Sequence, residues 1–324
     1  MKSRLLLSLL LFSVLLPAAY ADASPKELLA SGHVDEAILA LEQATRSSAP
    51  DAESYNLLCR AYYMIDDWDR GIAACERAVK LAPENSLYHL WLARICGEKA
   101  DHAGILTGAG LVKKVRTEFE RAVELDPKNS AAREDLAEFY LEAPSIVGGG
   151  KDKAKAQVQA LAGFDPAAAD YVAGQIAAKE KDSETAERAY RAAIETSHGT
   201  AIAWLHLAQF LAHANRFDEM DDALHSMSLA PLDHPEALMD GASLLLHVDR
   251  DSALAVRLLR RYLSNGPVEE GPAFKAHDFL GQLLEKQGDR PAAAEEYRAA
   301  LALSNTYARA REHLKRVENV SHWK

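Results

Sequence analysis

Three groups of side chains in this 324-residue chain are of types that do chemistry. Glu98, Asp101 and His102 lie close together, and carboxylates with an imidazole are ordinary metal ligands. Gly148-Gly149-Gly150-Lys151 invites a phosphate-loop reading. That motif needs a glycine where Ser145 stands and a Ser or Thr where Asp152 stands, and no strand precedes it. Asp152 would also repel a phosphate, so the run reads as a flexible turn entering a helix. Six of the twelve histidines fall between His198 and His247, and His206 and His213, seven apart, share a helix face. With no His-x3-His pair and no neighbouring Cys, they read as surface and interface histidines. Neither a G-x-S-x-G elbow nor an H-E-x-x-H helix occurs. The expectation is therefore no catalytic residue, no cofactor and no resident metal. A small metal-dependent site at Glu98, Asp101 and His102 is the alternative.

The elements that would position these residues are helical. Ala, Leu, Glu, Arg and Lys dominate, apolar residues recur every three or four positions, and no alternating strand run appears. Short helices are separated by Asp-Pro, Ala-Pro, Gly-Asp or Asn-bearing turns. The clearest unit is Ala52 to Asn85. Tyr55, Leu58, Cys59 and Tyr62 mark a first helix, Asp66-Asp67 a turn, Gly71, Cys75 and Ala78 a second helix, and Pro83 the end. The spacing returns in Trp204, Leu207, Ala208 and Leu211 before Met220 and Leu224. It returns again in Leu280, Gly281 and Leu284 before Ala293, Tyr297 and Ala300. Gly174 precedes Ala186, Tyr190 and Ala193, and Gly241 and Leu244 precede Ala253.

This pattern resembles the tetratricopeptide repeat, W-x2-L-G-x2-Y…A-x3-F…P. The resemblance implies an all-α fold: a right-handed α-solenoid of about seven stacked helix-turn-helix hairpins over residues 22–324. A polar helix near 306–320 would cap it, and each hairpin would contact only its neighbours. Pro83, Pro127 and Pro166 are 44 and 39 residues apart, where about 34 is usual. Two insertions are therefore expected between paired helices, near 97–112 and 142–151, side by side on one edge. The second is similar to a stretch found in exported bacterial members of the family. His102, Lys113, Lys114 and Lys151 mark that edge.

The repeat register sets Cys59 opposite Cys75 across one hairpin, close enough for a disulfide. Two buried thiols used for packing, or a Cys75–Cys96 bridge, are the alternatives. Three cysteines leave at least one thiol unpaired within the chain. The resemblance also places a concave groove along the first helices. Register assigns to it Asn56, Arg60, Tyr63, Leu90, Arg94, Glu134, Glu138, Tyr171, Gln175, Leu205, Gln209 and His213. Asn56 with Arg60 resembles part of a clamp by which some members grip a C-terminal carboxylate. Arg60 and Arg94 suit an acidic peptide end.

The beginning of the chain reads as a secretion signal, residues 1–21. Lys2 and Arg4 precede an apolar run, Leu5 to Leu16, and Ala19-Tyr20-Ala21 has the form that a signal peptidase cuts. That run is shorter than the roughly 20 residues a membrane-spanning helix needs, and no later segment is long and apolar enough. A periplasmic or secreted protein is expected. The net charge of −11 disfavours nucleic acid. The expected partner is another protein or a peptide, with self-association through open solenoid ends a further option.

Overall fold

The computed structural model describes residues 23–319 apart from 48, 50, 103, 104, 267 and 270, so the secretion-signal reading of 1–21 lies outside the described residues. All regular elements among the described residues are helical, and they come in pairs. The pairs are α1 (Pro25–Ala30) with α2 (Val34–Thr45), α3 (Ala52–Met64) with α4 (Trp68–Leu81), α5 (Ser86–Asp101) with α6 (Ile105–Leu125), and α7 (Ser130–Glu142) with α8 (Lys151–Leu161). They continue as α9 (Pro166–Lys179) with α10 (Ser183–Thr196), α11 (Ala201–His213) with α12 (Phe217–Leu229), α13 (Ala237–His247) with α14 (Ser252–Asn265), and α15 (Ala273–Lys286) with α16 (Arg290–Leu303). A last helix, α17 (Ala308–Asn319), follows. Among the described residues the architecture is an α-solenoid of eight hairpins and a terminal helix.

Local chemistry sets the ends of these helices. Asp51, Asp67, Asn85, Asn129, Asp165, Asp182, Asp251 and Asp289 each accept a hydrogen bond from a backbone N–H in the first turn of the helix that follows. Each such cap is worth about 1 kcal/mol. The turns inside hairpins are made by single left-handed residues. Gly32 and Asp66 are 34 apart in the chain, as are Lys181 and Asn215, and Asn215 and Asp249.

Packing inside three of the hairpins depends on a missing side chain. A Cβ at Gly281 would lie 2.5 Å from the Tyr297 ring, at Gly241 2.6 Å from Met227, and at Gly174 3.0 Å from Tyr190. In the second hairpin the pair is Cys59 and Cys75, and these are joined by a disulfide with Cα atoms 5.2 Å apart. Cys96 is a buried free thiol, pushed up to about 11 by that burial.

The insertions differ in kind. The first was expected as a loop, yet its residues lengthen α5 and α6, leaving a short turn after Asp101. The second is a turn: a 3₁₀ segment, Ser145–Val147, then Gly148 in the left-handed region. Arg116 of α6 donates to the Val147 carbonyl at 3.2 Å, so the second turn rests on the long hairpin. Lys113 and Lys114 sit on α6, and Lys114 points away to Glu76 of the preceding hairpin.

Contact is not confined to neighbours. Phe274, Ala300, Tyr307 and Ala310 join the hydrophobic core of the first hairpins, together with Leu28, Leu29 and Val34. Asp35 accepts from the Asn305 N–H and from the Thr306 hydroxyl. Asp66 faces Lys275 and Arg309, each at 3.7 Å. The solenoid closes on itself, and α17 is wedged into the closure rather than simply covering a free end. This corrects the expectation of open ends and strictly serial contacts. Gly32 shows how tight the join is, since a Cβ there would stand 3.0 Å from that of Ala273.

Two outcomes follow from this packing. Gly281→Leu should destabilise by at least about 1–3 kcal/mol in chemical denaturation, because the Tyr297 ring is fully buried and cannot withdraw. Gly32→Leu should part the closure, seen as a larger radius of gyration by small-angle scattering with helical content unchanged. Its left-handed backbone and its contact with Ala273 both oppose a side chain.

Candidate binding lumen

Odd-numbered helices form the inner layer. α3 touches α5, α7 touches α9, and α9, α11, α13 and α15 touch in series. Their inward faces line three cavities of about 660, 600 and 640 Å³. Glu138 borders all three. Tyr171 and His206 are shared by two of them, as are Arg94 and Asp135. The cavities therefore run together into one lumen.

Most of the expected groove residues are on this wall: Tyr63, Arg94, Glu134, Glu138, Tyr171, Gln175, Gln209 and His213. Three are not. Asn56, Leu90 and Leu205 are buried at 2%, 3% and 1% exposure, in packing between helices rather than on the groove. Arg60 is held in a two-pronged pair with Glu269 from the loop between α14 and α15. Arg94 donates to Asp135 at 2.7 Å. Both guanidinium groups lie over the Trp91 ring, 4.9 and 5.2 Å from its centre. The clamp reading of Asn56 with Arg60 thus fails: one is buried and the other already grips a carboxylate of its own chain.

The insertion residues do not converge either. His102 stacks against Trp68 at 4.4 Å, and its Nδ1 pairs with the Glu98 carbonyl. The Glu98 carboxylate accepts from the Tyr63 hydroxyl at 3.2 Å. Lys151 lies 3.5 Å from Glu180. Among the described residues, no three His, Cys, Asp or Glu side chains are placed to hold one metal ion.

A tetratricopeptide repeat family model matches residues 26–86, 171–219 and 248–308, more than half of the chain. The chain belongs to the tetratricopeptide repeat (TPR) family. Solved structures similar to it include a TPR protein of Thermus thermophilus, at 19% identity over 58% of this chain and 97% of that one, with a TM-score of 0.47. Another is a TPR protein of Parabacteroides merdae, at 16% identity over 82% of this chain and 98% of that one, with a TM-score of 0.39. No curated protein matches the chain.

The lumen of this TPR protein is acidic, which its register did not reveal. Ten carboxylates line it against one arginine and no lysine. Several are engaged: Asp165 caps α9, Glu142 pairs with Lys179, and Glu236 pairs with His234. Glu134, Glu138 and Asp240 have no side-chain hydrogen bond or ion pair among the described residues. Burial pushes Glu134 up to about 7, with Asp165 and Asp135 adding repulsion and His234 and Arg94 opposing it. Burial likewise pushes Asp240 up to about 6, with Glu236 adding to it. His206, stacked on Tyr171 at 3.7 Å, is pushed down to about 3, first by burial and then by the nearby His234. It is a neutral ring at physiological pH. His234 is held above the usual histidine value by its hydrogen bond to Glu236.

The sign of the pH effect follows. A carboxyl whose folded value is raised favours the fold while both states are protonated, and that advantage is lost as pH rises through the folded value. Glu134→Gln should therefore stabilise the protein by about 2 kcal/mol at pH 8.5, after allowance for lumen water. Most of that gain should disappear by pH 5. Urea denaturation at the two pH values measures it.

Proposed function

We propose that this chain is a periplasmic scaffold that holds a partner protein in its lumen. TPR repeats generally mediate protein–protein interaction, and the reading is carried by one observation. The inner wall is continuous and carries carboxylates that have no hydrogen bond or ion pair among the described residues. A wall of this width exceeds what one small molecule fills, since each of the three joined cavities is already ligand-sized. Two features support the compartment. The Cys59–Cys75 disulfide suits an oxidising environment. The basic, apolar and Ala-x-Ala segments of residues 1–21 occur in the order of a secretion signal.

A second surface has one observation in its favour. Ile146, in the second insertion, is 92% exposed on a turn braced by Arg116. A contact on the insertion edge would cover this side chain.

Photo-crosslinking in native envelope discriminates these readings. A crosslinker at Gln209 or His213 should capture a partner, while one at the outward Glu184 should not. Capture at Ile146 alone would move the working surface to the insertion edge, and capture only at Glu184 would end the lumen reading. The mature chain should begin at Asp22 on N-terminal sequencing.

A further inference from the structure

We infer that the lumen accepts an extended Lys- or Arg-rich segment of the partner, its cationic side chains seated on Glu134, Glu138 and Asp240. The inference rests on the scaffold reading and supplies the partner's chemistry. It reverses the acidic peptide end that Arg60 and Arg94 suggest in sequence, because both guanidinium groups are already satisfied by Glu269 and Asp135.

Two independent observations point the same way. The first is charge: of ten lumen carboxylates, three on α7 and α13 make no hydrogen bond or ion pair among the described residues. The second is hydrogen bonding. Gln175 Oε1 and Thr200 Oγ1 are buried in the lumen wall without a partner. The Gln175 amide nitrogen donates to the Tyr171 hydroxyl at 2.9 Å, which leaves its oxygen as an acceptor. The His206 ring, almost enclosed, makes no hydrogen bond among the described residues. Buried polar atoms are rarely left unpaired. The Gln175 oxygen can only accept, and the Thr200 hydroxyl and the neutral His206 ring can accept as well as donate, so a donor-rich occupant can meet all three. Ammonium and guanidinium groups carry three and five N–H donors and no acceptor.

Length argues for a peptide. The acidic wall runs from Glu98 and Asp101 on α5, through Glu134 and Glu138 on α7, to Asp240 on α13. One cation cannot meet groups spread over so many hairpins, whereas alternate side chains of an extended strand can. The stacked Tyr171 and His206 rings at the middle of the wall offer an aromatic face for the stem of such a side chain.

The test uses the full mature protein and two fluorescein-labelled peptides, one of alternating Lys and Ser and one of alternating Glu and Ser. Anisotropy should show binding of the lysine peptide alone, weakened by raising the salt. Combining Glu134→Gln, Glu138→Gln and Asp240→Asn should weaken it about tenfold or more, and Glu184→Gln should leave it unchanged. The triple variant removes unpaired charge and should fold, and Glu138→Lys gives a second, single-site variant with the same expected loss. Equal binding of the glutamate peptide, or full affinity in the triple variant, would overturn the inference. If the lysine peptide fails to bind while crosslinks at Gln209 and His213 still capture a partner, the basic-segment inference falls and the scaffold stands. Failure of those crosslinks in the wild-type chain removes the lumen reading itself.

Discussion

The structure depends on how closely two antiparallel helices can approach within one hairpin. At the crossing point one helix must offer almost nothing beyond its backbone, and the other fills the space with a large side chain. Gly281 receives the Tyr297 ring, Gly174 that of Tyr190, and Gly241 the Met227 thioether. The second hairpin solves the same problem covalently, with two small sulfur side chains bridged across the crossing. A bridge closing so short a loop contributes about 3 kcal/mol in the chain-entropy view. It sits in a hairpin that carries Arg60 and Tyr63 toward the inner surface, and so fixes one side of the lumen.

From that spacing the curvature follows. Inner helices pack closely in series, and eight hairpins bend far enough for the last to meet the first. The join is a mixture of types. Phe274 and Tyr307 enter the N-terminal core with rings 5.0 Å apart, while Asp35 and Asp66 collect donors from the far end of the chain. Exposed ion pairs such as Asp66 with Arg309 add little by themselves. The buried rings and the bare backbone of Gly32 hold the ends together, and the charges set the register. Closure also makes stability less local than in an open repeat array. A disturbance at α15 can reach α1 directly, without passing through the hairpins between them.

How much of this was legible in the sequence varies with the range of the interaction. The repeat, the caps and the small residue at each crossing recur at short, regular spacing, so the helices and their pairing can be read from residues such as Leu280-Gly281 and Asp66-Asp67. The cysteine pairing was visible for the same reason, as one option among three. The groove was less legible. Asn56 and Leu90 were placed on it by register, but one residue along a helix is a rotation of about 100°, enough to turn a lining position into a packing one. The partners of Arg60 and Arg94 were hidden for a different reason. Glu269 lies 209 residues from Arg60, and only accumulated curvature brings them together. The charge of the lumen is hidden likewise, because it sums over helices that no local window spans. The first insertion misled because extra length was read as loop, when helix-forming residues on both sides let it extend α5 and α6.

An acidic lumen in a closed ring carries an electrostatic cost that the fold itself does not require. Surface carboxylates are bathed in water and counter-ions and repel weakly. Inside a ring, each faces others across a space that shares its charge sign, with protein rather than water on most sides. Burial, with repulsion from neighbouring carboxylates added, raises Glu134 and Asp240 well above the usual range, in the direction that cost requires. A packing requirement would be met as well by glutamine or asparagine at these positions, without the repulsion. A cation arriving in the lumen removes the penalty and gains the attraction together, so binding energy is largest where the empty ring is least comfortable. The same residues that weaken the unoccupied fold are thereby the ones best placed to select what enters it.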